Sequence, residues 1–149
     1  MTDIDWQTNI IRNEAGMADL LAGTHTIAVL GIKTEASGAP AYYVPEYTQH
    51  AGYEIIPVPV YYPEVTEILG AKVYRTVASI PGDVDLVNVF RRPNDIPAHV
   101  DDILAKKPRA VWFQSGIRNA AAAEQFARAG IDVVQDRCLM VELRGMGRG

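Results

Sequence analysis

Residues Thr26–Pro40 read TIAVLGIKTEASGAP. The first five, Thr26–Leu30, are apolar and partly β-branched, which suits a strand buried on both faces of a parallel sheet. Gly31 ends the run, and Ile32–Ala39 carries Lys33, Ser37 and Gly38 ahead of a helical pattern. A strand, a small-residue loop and a helix start place backbone N–H groups and a positive dipole end together, a combination that suits a phosphate. Neither G-x-G-x-x-G nor G-x-x-x-x-G-K-[ST] is present, so the loop taken alone is a turn as readily as a binding site.

Outward from this stretch the chain alternates. Tyr53–Val58 (YEIIPV), Asp85–Phe90 (DLVNVF), Ala110–Phe113 (AVWF) and Ile131–Val134 read as four further strands. Pro57 and Pro59 place the second of the five near an end or an edge. Helical spacing starts near Tyr43 or Val44, because Pro45 is costly anywhere past a first turn, and Gly52 stops it. A second helix carries Ile96, Val100, Ile103 and Leu104. A third, alanine-rich, is capped by Asn119 and closed by Gly130. Val60–Gly82 reads as an irregular connection, with short helical turns around Val65–Leu69 and Val77–Ile80. Residues 1–23 read as an N-terminal helical extension, capped by Asn13, with Met17, Leu20 and Leu21 on one face and Gly23 at its end. Residues 24–143 form the main domain and 144–149 a flexible tail. Strands and helices alternating at these lengths predict an α/β fold: a doubly wound, Rossmann-like, mostly parallel five-stranded sheet in three layers, ordered 3-2-1-4-5.

Composition narrows the function. The chain has 149 residues, 48% hydrophobic and 21% charged, with a net charge of −4. That balance argues against a nucleic-acid partner, and no apolar run is long enough to span a membrane. Met1–Trp6 is polar and acidic rather than a secretory signal, and Cys138 is the one cysteine, so a cytoplasmic setting is expected. His25, His50 and His99 are dispersed, Asp83 and Asp85 sit at the start of a strand, and Asp101-Asp102 reads as a solvated helix face. No acid, base and nucleophile set emerges.

In a doubly wound sheet, ligands bind outside the carboxyl ends of the strands. Gly31, Ile32 and Lys33, then Val58, then Phe90 and Arg91, then Gln114, Ser115 and Gly116 all fall at such ends. Arginine at that position can fork onto phosphate oxygens. Gln114–Gly116 offers side-chain and backbone hydrogen bonds to an amide-bearing ligand. Cys138, beside Arg137, offers a thiol for disulfide exchange.

The segments TIAVLG (26–31), AYYVPEYTQHAGYEIIPV (41–58), VDLVNVFRRP (84–93), AVWFQSGIRN (110–119) and AGIDVVQDRCLMVE (129–142) resemble, in order and spacing, the small stand-alone CoA-binding proteins. Their fold is similar to the nucleotide-binding domain of the succinyl-CoA synthetase alpha subunit. The resemblance implies a ligand, coenzyme A or an acyl-CoA, and no settled reaction. It implies that Gly31, Ile32, Lys33 and Thr34 meet the pyrophosphate and Val58 lines the adenosine end. Phe90 and Arg91 would lie along the ligand, with Gln114, Ser115 and Gly116 approaching the pantetheine arm. Two stretches depart from the family pattern. Ile32-Lys33 stands where relatives carry a small residue with serine or histidine. PVYYPE (59–64) stands where they carry a cation suited to the 3′-phosphate, a role open here to Lys72, Arg75 or Arg91. The resulting expectation is non-catalytic binding by a single polypeptide, with a homo-oligomer or a partner subunit possible. The alternatives are an NAD(P)-binding oxidoreductase-type or acyl-CoA ligase-type subunit that needs a partner chain, and a mixed disulfide between Cys138 and CoA.

Overall fold

The structure, a computed structural model, describes residues 5–147. Five parallel strands form the main sheet: β1 (Thr26–Leu30), β2 (Glu54–Val58), β5 (Leu86–Val89), β6 (Ala110–Phe113) and β7 (Asp132–Val134). Strands β3 (Glu67–Ile68) and β4 (Ala71–Lys72) pair as a separate antiparallel ribbon. The helices are α1 (Glu14–Ala22), α2 (Pro40–His50), α3 (Val100–Lys106), α4 (Ala120–Arg128) and α5 (Leu139–Gly145). Alternate residues of each strand serve opposite faces, as the two-residue period of a strand requires. Ala28, Val87, Val111, Phe113 and Val133 pack on one side with Ile103 and Phe126. Ile27, Val29, Leu86, Trp112 and Val134 pack on the other with Leu21, Val44 and Leu143. No helix among the described residues is long and apolar enough to cross a membrane.

The α/β Rossmann-like class is as the sequence predicts, but the strand order is not. The sheet runs β2-β1-β5-β6-β7, which is 2-1-3-4-5 when only its own strands are counted. The expected 3-2-1-4-5 order would bury the second strand between two neighbours. Pro57 forbids that position: it has no N–H, and its carbonyl accepts the Tyr74 N–H at 3.0 Å on the side away from β1. The second strand is therefore the edge, and the third returns across it to pair with β1 along Ile27–Leu30. The winding reverses between β1 and β5, which puts the ligand crevice of this topology at their carboxyl ends.

The crossover from β2 to β5 has no α-helix. Leu69 and Gly70, both at positive φ (56° and 74°), turn β3 into β4, so the helical turn expected around Val65–Leu69 is a hairpin. Val77, Ile80 and Val84 then fill the space a crossover helix would take, all three at or below 4% exposure. Asp102 of α3 accepts the Val77 and Ala78 N–H groups at 2.7 and 2.9 Å, so it is a structural anchor rather than part of a solvated face.

Helix α2 begins at Pro40, three or four residues earlier than predicted, with proline at the position where a missing N–H costs nothing. Pro45 then lies inside the helix and leaves the Ala41 carbonyl without its helical donor. The Lys33 N–H takes that carbonyl at 3.2 Å, and this ties the loop after β1 to the first turn of α2.

At the far edge the segment before α1 pads β7: the Ile11 N–H donates to the Val133 carbonyl at 2.8 Å, and Trp6 lies beneath the Arg128 guanidinium at 5.2 Å. Helix α1 buries Met17, Leu20 and Leu21 below an Asn13 cap. Residues 1–4 of the expected extension and 148–149 of the expected tail lie outside the described residues. Arg144 and Gly145, placed in that tail by the sequence, close α5, and Arg144 sits over the Tyr47 ring at 5.3 Å.

Asp85 joins the starts of β1 and β5, at the end of the sheet away from the crevice. Its Oδ2 accepts the His25 and Thr26 N–H groups at 2.8 and 3.1 Å, while the Thr26 hydroxyl accepts the Asp85 N–H at 3.0 Å. Partial burial pushes its carboxyl up, but those hydrogen bonds and the His25 charge together hold it below the usual aspartate range. The stability it contributes is present above about pH 4, the unfolded value, and is lost as pH falls through the depressed folded value. Asp85→Asn is expected to cost about 1–2 kcal/mol at neutral pH and to flatten the acid side of a Tm-against-pH curve. An acid limb as steep as that of the wild type would contradict this role.

Candidate functional site

Gly31 leaves β1 at φ 86°, a conformation closed to most side chains. A Cβ there would run into the Phe90 carbonyl oxygen and lie 3.1 Å from Arg91 Cδ. The ends of β1 and β5 meet only because residue 31 has no side chain. Its N–H donates to the Val58 carbonyl at 2.8 Å and the Lys33 N–H to Ala41, so two of the amides expected for a phosphate are already engaged. Among the described residues the Ile32 and Thr34 N–H groups have no backbone acceptor.

Two adjoining cavities open over this junction. One of about 320 Å³ is lined by Gly31, Lys33, Tyr61, Phe90, Arg91 and Arg92. The other, of about 350 Å³, extends from Lys33 and the first turn of α2 (Ala39–Ala41) across Phe90 and Arg91 to Gln114, Ser115 and Gly116. Seven of the ten residues singled out from the sequence therefore meet along one rim. The other three do not line it. Ile32 is 1% exposed and Val58 is fully buried; both are core, and only the Val58 carbonyl serves the loop. Thr34 caps the single turn Glu35–Ser37 and its carbonyl accepts from Ser37.

Every charged residue lining these two cavities is a cation: Lys33, Arg91 and Arg92. Lys33 has no ion pair among the described residues. The two arginines share one carboxylate, Asp95 Oδ2, at 3.6 Å from Arg91 and 3.1 Å from Arg92. Arg91 is 14% exposed and Arg92 82% exposed, so Arg91 is the one built into the wall. Three cations around one carboxylate, on a chain of net charge −4, make a local surplus suited to an anion.

The other wall is fixed by β6 and β7. Gln114 is buried, its N–H donating to the Val89 carbonyl at 3.2 Å and its Oε1 accepting the Leu139 N–H at 3.4 Å. The Gly116 N–H donates to Asp136 Oδ1 at 2.7 Å, and Arg118 Nε to Asp136 Oδ2 at 3.2 Å. The first of these bonds most, then the Arg118 hydrogen bond, holds the Asp136 carboxyl below its ordinary range. Asp136 itself adopts φ 58° to reach them. The Gly116 amide expected to meet a ligand is thus committed to the scaffold, while Ser115 remains exposed.

Three contributors escaped the sequence. Arg75, considered as a substitute cation, instead donates to the carbonyls of Tyr61, Tyr62, Pro63 and Val65 at 2.6–3.3 Å and pins the loop that carries Tyr61. Tyr61 stands beside the Arg91 guanidinium at 5.8 Å. His99 accepts the Arg91 Nε–H at 3.3 Å rather than facing solvent on a helix. Lys72, the other candidate, lies over the Tyr74 ring at 5.3 Å. Cys138 is partly buried at the N-cap of α5.

Gly31→Ala tests the junction directly. It is expected to cost about 3 kcal/mol, from the φ penalty together with the clash on a backbone oxygen. For a chain of this size that lowers Tm by roughly 6–12 °C in a calorimetric melt, and an unchanged Tm would mean the two strand ends can part freely.

Comparison with known proteins identifies the family. Residues 25–144 match the CoA binding domain family. The chain is 33% identical over 129 residues to YneT of Bacillus subtilis (strain 168), covering 87% of this chain and 93% of that protein. Among solved structures, a Thermus thermophilus protein known as cell-free ID.343 superposes with a TM-score of 0.82 at 37% identity, over 91% of this chain and 99% of that one. A hypothetical protein from Pyrococcus horikoshii OT3 gives 0.81 at 28% identity, over 90% and 92%. With its 2-1-3-4-5 sheet and the cationic crevice at the point of strand reversal, this chain belongs to the CoA-binding domain family.

Proposed function

We propose that this chain binds coenzyme A or an acyl-CoA at the carboxyl ends of β1, β5 and β6, in the cytoplasm, and does not itself transform the ligand. The observation that carries the reading is the all-cationic charged lining of the two adjoining cavities, set over the reversal of winding. The pyrophosphate takes the start of α2 and the charges of Lys33 and Arg91. The apolar and amide parts of the arm run past Phe90 toward Gln114 and Ser115.

The groups that general acid or base chemistry would draw on are engaged in holding the rim. Asp95 pairs with the arginines, Asp136 accepts from Gly116 and Arg118, and His99 accepts from Arg91. This supports binding without turnover over the ligase-type and oxidoreductase-type readings.

Isothermal titration with CoA, dephospho-CoA and NAD tests the proposal. CoA is expected to bind and NAD not to. Arg91→Ala and Lys33→Ala are each expected to weaken CoA by about ten- to a hundredfold, as loss of a charged hydrogen bond worth roughly 1.5–3 kcal/mol implies. No heat from CoA at high micromolar concentration would sink the reading. Undiminished affinity in Arg91→Ala would remove that residue from the site.

A further inference from the structure

The Arg91 guanidinium is fixed before any ligand arrives. Its Nε–H donates to His99 Nε2 at 3.3 Å, a terminal nitrogen lies 3.6 Å from Asp95 Oδ2, and Tyr61 flanks it at 5.8 Å. An imidazole nitrogen that accepts a hydrogen bond must keep its lone pair, so the ring is neutral and carries its proton on Nδ1. His99 also forms part of the wall of a third cavity, of about 390 Å³, with Arg75, Thr76 and Asp102. It stands between the cationic crevice and this second space.

We propose that His99 is a positioning residue for the CoA site: by accepting the Arg91 Nε–H it turns the terminal nitrogens of the guanidinium toward the ligand's phosphates, and protonation of the ring undoes this. The proposal rests on the reading of Arg91 as a phosphate ligand given above. An arginine side chain otherwise loses rotamer freedom when it is immobilised on a ligand. A partner that fixes it beforehand removes part of that cost.

Four charged groups bear on the ring. Arg91 reaches it from the end of β5, Asp95 from the turn before α3, and Asp102 from α3, while Arg75 of the crossover lines the same cavity. Burial, and then the Arg91 charge, push the imidazole below its ordinary value against the opposing pull of Asp102 and Asp95. The sign follows. The unfolded chain takes up the proton first, so the neutral ring's contribution is complete above about pH 6.5 and is lost as pH falls toward the lower folded value. Protonation removes the acceptor and sets a second cation against Arg91.

The test compares the full chain with His99→Gln, which restores a carbonyl acceptor, and His99→Leu, which does not. In calorimetric titrations with CoA near pH 7.5, His99→Leu is expected to bind about tenfold more weakly and His99→Gln within about twofold of wild type. As pH falls below about 6.5 toward the lower folded value, wild-type affinity is expected to fall more steeply than that of His99→Gln. Both meet the same titration of the ligand's own phosphate, so the difference belongs to His99. Equal affinities with parallel pH profiles overturn the proposal. A second arm needs no ligand: long-range 1H–15N NMR of the free protein reads the ring directly. A proton on Nδ1 and an accepting Nε2 support the proposal, and a proton on Nε2 overturns it. Wild type that does not bind CoA overturns the functional reading instead, and the NMR arm still decides whether His99 holds Arg91.

Discussion

The contact on which the rest of the structure depends is backbone against backbone, Gly31 beside the carbonyl of Phe90. Two parallel strands whose ends approach this closely leave no room for a Cβ. The chain must therefore diverge at once, one loop toward α2 and the other toward α3. Divergence opens the crevice, and the same geometry delivers Lys33 from one strand end and Arg91 from the other to a single space. The fold opens the crevice here because this is where neighbouring strands send their connections to opposite sides.

What remains free for a ligand is set by what the scaffold already uses. The amides of Gly31, Lys33, Gln114 and Gly116 all have protein acceptors, so it is the side chains of Lys33 and Arg91 that are left for a ligand. Pro45 contributes to that division from the next turn of a helix. By withholding its own N–H it frees the Ala41 carbonyl, which the Lys33 amide then occupies. A proline that looks like a helix fault in the sequence is a device for holding a loop. The helix also starts at Pro40 rather than near Tyr43 or Val44, and its first turn lies against the cavity.

Most of the sheet was legible in the sequence because apolar runs of four or five residues, bounded by Gly, Pro and Asn, leave little choice of element. The strand order was legible too, although the general preference for winding outward from the first strand obscured it. Pro57 marked the second strand as an edge, and an edge strand cannot sit inside 3-2-1-4-5. Seven of the ten candidate residues line the crevice, since side chains just past a parallel strand face it. Ile32 and Val58 failed that rule because Val58 is still the buried last residue of β2 and Ile32, two past β1, turns back into the apolar core. His99, Tyr61 and Arg75 carry no local signal. Their roles come from contacts 8 to 30 residues apart, made by the irregular crossover and by the turn before α3, where periodicity says nothing.

That crossover explains why Arg91 needs so many neighbours. Without a helix between β2 and β5, its backbone groups must find partners one by one. Asp102 supplies acceptors for Val77 and Ala78, Lys106 donates to Ile80, and Arg75 gathers four carbonyls. A helix would satisfy those groups internally and present a regular face to the sheet. The irregular path instead brings an aromatic ring, Tyr61, over the end of β5, where an arginine must be kept from folding back onto Asp95 alone. A carboxylate by itself would neutralise the guanidinium. The ring and the imidazole hold it in place without cancelling its charge, and an anion site requires both fixed geometry and surviving charge.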